Sequence, residues 1–406
     1  MDSGLWMLRN LQKILLNGAF EMSKESDAPP SESSGDFRLP GLRTTVDSIP
    51  WWQVDLGEEA VRAASSAVAN KLLSQGVITE ILERQFASVV GVKHAIATSS
   101  GSTALSLALL AAGARPGDAI ICPAYTWIGT AHAAHLLGCK VELVDIQIDR
   151  PVLDLSKVPL ASTNRRFALP VHMNGHATDI EGLKAKGYTV IEDAAQALGS
   201  KSNEGLLGCV GDMGCYSFSV SKIIGSGQGG MIVTNSDEFA SIARRSRTHG
   251  ITDVFAPEAW DTAGHNFRYN DIMASILLTQ LKLLEFRIST LKEIWLNYSF
   301  HLENLVEVEL VKHRSSYEFG PYVELRVHEG RRDDLIRFLE TFGVGARRAF
   351  PPLTTAKYLG QNVYVPNALA WSKEVLYLPS GPSLSPNSIE YVCELIKGFF
   401  ISDSSS

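Results

Sequence analysis

The chain has 406 residues, 45% of them hydrophobic and 20% charged, with a formal net charge of −7. This is the balance of an ordinary globular protein with room for one large domain and a smaller one. The scattered basic residues exclude a nucleic-acid-binding stripe. Cys122, Cys139, Cys209, Cys215 and Cys393 show no CxxC spacing, so they read as reduced thiols of a cytoplasmic protein, with no metal site expected.

The first residues, MDSGLWMLRNLQKILLNGAF, are partly apolar, but Arg9, Asn10, Gln12 and Lys13 interrupt them. They are expected to form neither a signal sequence nor a membrane span. The polar, Pro/Ser-rich stretch that follows predicts disorder through residue 38, with Met22 an alternative start. Helical spacing covers 58–73 and 78–89, separated by Gln75 and Gly76. Strands over 94–98, 119–122, 140–145, 166–172, 189–192, 215–220 and 230–234 then alternate with helices over 103–112, 129–137 and 180–186. That rhythm predicts an α/β large domain, 39–285, with a mostly parallel seven-stranded sheet sandwiched by helices. One long helix over 270–305 leads out of it. A strand over 322–327 and helices over 332–342 and 386–399 predict a smaller α+β C-terminal domain, counted with the connecting helix as 286–406. The polar end, 402–406, is expected to fray.

Four stretches carry chemistry. SSGSTAL, 99–105, lies between a strand and a helix, where small residues expose backbone amides and the helix dipole to an anion. Its plainer reading is a helix capped by Ser102 or Thr103. PAYTW places Tyr125 and Trp127 just after a strand, where an aromatic face could stack on a planar ring or simply pack. IEDAAQ ends a strand in two acids, at the sheet edge that binds ligands in parallel α/β folds. Glu192 reads as a polar strand end, whereas Asp193 is placed to pair with a cationic heterocycle nitrogen. In SFSVSKIIGSGQGG, Lys222 stands between an apolar strand and a glycine loop. Desolvation there would make it a nucleophilic amine; the plainer reading is a lysine that snorkels to solvent. Together the four match the needs of pyridoxal phosphate: an anion cradle, a stacking face, an acid for the pyridinium and a lysine for the aldehyde.

These motifs, with SQGVIT (74–79), PVHMNGH (170–176), GDMGCYSFSVSK, GQGGMIVTN, GHNFRYND (264–271) and VLYLPSGPSLS, resemble in colinear order the DegT-type sugar aminotransferases. That resemblance implies the fold-type I architecture of pyridoxal-phosphate enzymes. It implies that Lys222 forms the Schiff base and later moves protons, and that Asp193 binds the pyridinium. Trp127 would stack on the ring, and Gln196 would lie near its phenolic oxygen. Ser102, Thr103 and Ser217 would hold the phosphate, joined by Asn266 from the partner of a homodimer. The expected reaction moves an amino group, from glutamate, to a ketosugar, most often nucleotide-linked; the alternatives are a keto-cyclitol acceptor or a non-catalytic regulatory protein on the same fold. A related dehydratase branch carries histidine in place of the lysine. Gln228, Thr354 and Tyr269 depart from the pattern, and all three are expected near the substrate entrance.

Overall fold

The strands are short and apolar enough to be buried on both faces, as a parallel sheet covered by helices requires. The computed structural model describes residues 48–161, 166–252, 260 and 262–403. The expectation for residues 1–38 lies outside them; of the end expected to fray, 404–406 lies outside them too, while residues 402 and 403 belong to the last helix, Pro386–Asp403. Strands β1 (His94–Thr98), β2 (Ala119–Pro123), β3 (Lys140–Val144), β4 (Arg166–Ala168) and β5 (Thr189–Asp193) precede a small hairpin, β6 (Lys201–Ser202) with β7 (Gly205–Leu206). Strands β8 (Met213–Ser217) and β9 (Gly230–Thr234) complete a seven-stranded sheet in the order β1-β9-β8-β5-β4-β2-β3. Only β9 runs against the other six strands, pairing antiparallel with both β1 and β8.

Successive side chains point to opposite faces of a strand. Ile120, Cys122, Ile191, Met213, Cys215 and Ile232 therefore meet one helical layer, which includes Gly101–Ala111, Gly129–His135 and Asp237–Arg247. Ala95, Ala97, Tyr216, Met231 and Val233 meet the other, where Leu82 and Phe86 of Val77–Val90 and Leu277 of Asp271–Leu281 pack. Toward the C-terminus lies a four-stranded antiparallel sheet, β10 (Val308–Leu310), β11 (Val323–Val327), β13 (Val375–Leu378) and β12 (Arg347–Arg348), in that order. Helices Arg332–Thr341 and Pro386–Asp403 accompany it. No helix among the described residues is long and apolar enough to cross a membrane.

Three expectations need correction. The long helix over 270–305 is two helices, Asp271–Leu281 and Leu284–Leu302. At the break Arg287 turns inward, donating to the carbonyls of Ile223 (3.1 Å) and Asp55 (3.1 Å) and to the side chain of Gln280. The apolar period continues through the break and hides it. The strand expected over 166–172 is ladder-paired only to Ala168, after which a single bridge joins Val171 to Asp193. The first helix cap is Ser100, not Ser102 or Thr103. Its Oγ accepts from Thr103 N (3.1 Å), and Thr103 Oγ1 accepts from Ser100 N (3.0 Å), a reciprocal capping box.

One buried carboxylate ties two of the sequence motifs together. Asp271 accepts from the amides of Gly76 (3.0 Å), Ile78 (3.2 Å) and Thr79 (2.9 Å) and from the Thr79 hydroxyl (2.7 Å). A Cβ on Gly76 would lie 2.8 Å from Asp271 Oδ2, so SQGVIT needs its glycine where GHNFRYND supplies its acid. Asp271→Ala leaves three amides without this acceptor, and we expect it to lose about 3 kcal/mol of stability in urea unfolding. Asp271→Asn, which keeps one acceptor oxygen, should lose less. An unchanged midpoint for Asp271→Ala would contradict the assignment.

Candidate active site

Because β1, β2, β5 and β8 share one direction, the segments leaving their carboxyl ends converge on one edge of the sheet. Ser100 follows β1, Trp127 and Thr130 follow β2, Asp193 ends β5 and Ser217 ends β8. β9 begins at that same edge with Gly230, which pairs with both Thr98 and Ser217. The segments enclose a cavity of about 330 Å³, lined among others by Ser102, Trp127, Asp193, Gln196, Ser217 and Lys222.

At one end the first turn of Gly101–Ala111 presents its amides. Gly101 packs so closely that an added Cβ would meet Ser217 Cβ at 2.9 Å, and a Cβ on Gly230 would strike the Ser100 carbonyl at 2.3 Å. Ser102 Oγ, Ser217 and the amides of Gly101 and Ser102 form a cradle for an anion at a helix N-terminus. Thr103 does not line the cavity, because its hydroxyl is committed to the capping box.

The other end is governed by Asp193. It is only 5% exposed; its Oδ2 accepts from Thr130 Oγ1 (2.7 Å) and its Oδ1 from Ala195 N (3.1 Å). Burial raises its pKa, against the lowering pull of Thr130, Ala195, Lys222 and His172. A buried carboxylate of this kind is best satisfied by a cationic partner. Lys222, in the turn after β8, lines the same cavity, and its Nζ has no hydrogen-bond or ion-pair partner among the described residues. Trp127 is 53% exposed, with its ring 5.4 Å from that of Phe350. A carboxylate, a free amine, an aromatic plate and a glycine-tightened anion cradle suit a phosphorylated pyridine aldehyde.

The residue beside Asp193 points the other way. Glu192, read from sequence as a polar strand end, is fully buried. Its Oε2 accepts from Gly208 N (2.8 Å) and its Oε1 from the amides of Val210 (2.8 Å) and Gly211 (2.5 Å). His172 Nε2 lies 2.7 Å from Glu192 Oε2. Since His172 Nδ1 accepts from Thr178 N (3.2 Å), Nε2 carries the proton and donates to Glu192. Burial would raise the Glu192 pKa, but His172 and the Gly211 and Gly208 amides outweigh it and hold the carboxyl below its usual value. Sequence reasoning missed this clamp, although PVHMNGH, which contains His172, was the available signal. Thr130, Phe350, Tyr322 and Arg347 also line the cavity without having been anticipated.

Asn266 does not line the cavity of its own chain. It is exposed, bridges to Thr248 through its backbone, and accepts from Arg268 Nε at 2.9 Å. Of the three departures expected at the substrate entrance, only Gln228 lines the cavity. Tyr269 is buried beneath the glycine loop, where its hydroxyl bonds Ser226 Oγ and its ring occupies the space a Gly229 Cβ would need. Thr354 lies outside the lining, in a short turn, Leu353–Thr355.

This fold and this cavity define a pyridoxal-phosphate protein of fold-type I. Comparison with known proteins makes the assignment specific: the chain belongs to the DegT/DnrJ/EryC1/StrS aminotransferase family, whose model matches residues 54–397. It is 31% identical over 357 residues to a pleiotropic regulatory protein of Geobacillus stearothermophilus, covering 85% of this chain and 95% of that one. It is 30% identical over 339 residues to a GDP-perosamine synthase of Vibrio cholerae, covering 80% and 92%. Among solved structures, S. venezuelae DesV in complex with a ketimine intermediate matches with a TM-score of 0.80 and 28% identity, covering 87% of this chain and 99% of that one. The architecture and cofactor read from sequence are those of the family.

The clamp sets a pH dependence. Glu192 is more acidic in the folded chain than unfolded, so its stabilisation is present above its unfolded pKa and is lost as pH falls through the folded value. Glu192→Gln should cost about 2 kcal/mol at neutral pH. It should also flatten the fall of stability between about pH 5 and pH 3. Thermal midpoints across that range decide it; parallel curves for variant and wild type would sink the clamp.

Proposed function

We propose that the protein is an aminotransferase that moves an amino group from glutamate to a ketosugar, most specifically a nucleotide-linked keto-deoxyhexose, in the cytoplasm. The observation that carries this reading is Lys222. A primary amine without a partner shares the cavity with Asp193, where the dehydratase branch would carry a histidine. When bound, the cofactor supplies a carbonyl that can carry an amino group and a ring that withdraws electrons from the adjacent carbon.

The chain's own residues do the rest. Lys222 holds the cofactor between turnovers and, once displaced, its Nζ gives and takes the proton at the reacting carbon. Asp193 keeps the ring nitrogen protonated, and Thr130 and Ala195 N fix the carboxylate for that task. Ser102, Ser217 and the helix amides hold the phosphate, with Asn266 reaching it from the partner of a homodimer. Trp127 would cover one ring face and Gln196 would lie beside the ring oxygen, since both line the cavity. The GDP-perosamine synthase relative supports a nucleotide-sugar acceptor.

A second reading is favoured by the regulatory name of the Geobacillus relative: a protein that keeps the cofactor shell without turnover. The two separate experimentally. The purified protein should show a visible absorption band that borohydride removes and that Lys222→Ala lacks. Its loss on adding glutamate, followed by amination of a nucleotide ketosugar seen by mass spectrometry and NMR, supports the transferase. A band that no amino donor alters favours the regulator, and no band at all removes both readings. Asp193→Ala should weaken cofactor retention about 10- to 100-fold in equilibrium dialysis; retention equal to wild type would remove Asp193 from the site.

A further inference from the structure

Between the large sheet and the C-terminal sheet lies a buried polar cluster that the chemistry above does not use. Asn174 occupies the left-handed region (φ +46°), which few residues with a side chain adopt and asparagine adopts most readily among them. It is held there from all sides. Its Oδ1 accepts from Tyr322 N (3.0 Å), and its Nδ2 donates to Tyr322 O (2.9 Å) and to Glu324 Oε2 (2.9 Å). Its carbonyl faces His313 Nε2 at 2.9 Å. The backbones meet so closely that a Cβ on Gly320 would lie 2.1 Å from the Asn174 carbonyl oxygen.

The backbone N–H of Asn174 donates to Gln196 Oε1 at 3.0 Å. A main-chain N–H can only donate, so the contact fixes which end of the Gln196 amide faces Asn174. The flipped amide would set two donors face to face in a buried site. Gln196 Nε2 has no partner among the described residues, and Gln196 lines the cofactor cavity. We propose that Glu324 and Asn174 are positioning residues that fix Gln196 with its amide nitrogen, not its oxygen, presented to the cofactor.

Glu324 suits that task because its acceptor persists through titration. It is 1% exposed, and burial pushes its carboxyl up to about 7 against the lowering pull of Asn174, His313 and Arg326. Either protonation state keeps an oxygen for Asn174 Nδ2. The inference rests on the proposed placement of Gln196 beside the ring oxygen. An N–H donor there stabilises negative charge on that oxygen, so the proton it shares with the Lys222 nitrogen leaves at lower pH.

The test is a pH titration of the visible band of the cofactor-loaded protein, a readout independent of turnover. Gln196→Leu should raise the midpoint by about half a unit or more. Glu324→Leu should move it the same way, and Glu324→Gln, which keeps an acceptor, should leave it where it is. In a Gln196→Leu background, Glu324→Leu should add nothing, because the two act as one unit. Should Glu324→Leu fail to fold, Asn174→Gly keeps the backbone N–H and the left-handed turn but removes the clamp, and it carries the same prediction. A shift of equal size in both backgrounds, or none in either, would overturn the proposal. A Gln196→Leu midpoint equal to that of wild type would instead overturn the placement of Gln196 on which it rests.

Discussion

The structure turns on two adjacent carboxylates at the end of β5. Alternation along a strand sends Glu192 to one face of the sheet and Asp193 to the other. Glu192 gathers the 208–211 turn and His172, so that the strand end is fixed from behind. Asp193 can then be held, buried, with only Thr130 and one amide as hydrogen-bond donors and Lys222 across the cavity as the nearby cation, a state that isolated burial would not tolerate. A one-residue slip of β5 would exchange the two environments and leave both carboxylates wrongly partnered. The paired register of β5 with β8, Asp193 opposite Cys215, is therefore a requirement of the site as much as of the fold.

The parallel sheet also explains why motifs scattered over more than a hundred residues act as one cavity. Each contributes from the carboxyl end of its own strand, and strands of one direction put those ends together. β9 is the exception that serves the same edge. Running backwards, it brings Gly230 to where the others finish, against Ser100 and Ser217. No bulkier residue fits there.

Much of this was legible beforehand, because apolar strands, small-residue turns and one lysine in an uncharged run are local signals. Strands 94–98 and 230–234 appear with the bounds their periodicity suggests. What the sequence hid depends on distant partners. The break at Leu283 is invisible because both helices keep the same apolar period, while the contacts that accompany it, Arg287 reaching Ile223 and Asp55, are non-local. Glu192 looks like an ordinary strand end because its four partners come from two other segments, the 208–211 turn and the stretch that holds His172. Thr103 looked available because its capping role belongs to Ser100, a residue that lies upstream of the expected cap.

The loop bearing Lys222 leaves the sheet at Ser217 and returns at Gly230, and these two residues are opposite one another in register. Phe218 N also donates to Gly229 O at 2.9 Å, closing the neck of the loop. Lys222 thus rides on a ring whose opening is stitched shut, with both feet in the same pair of strands. Residues inserted within the ring would lengthen it without parting its feet, so the sheet would tolerate them while the amine lost its aim. In a lineage of such proteins, length variation here would abolish the chemistry and spare the fold.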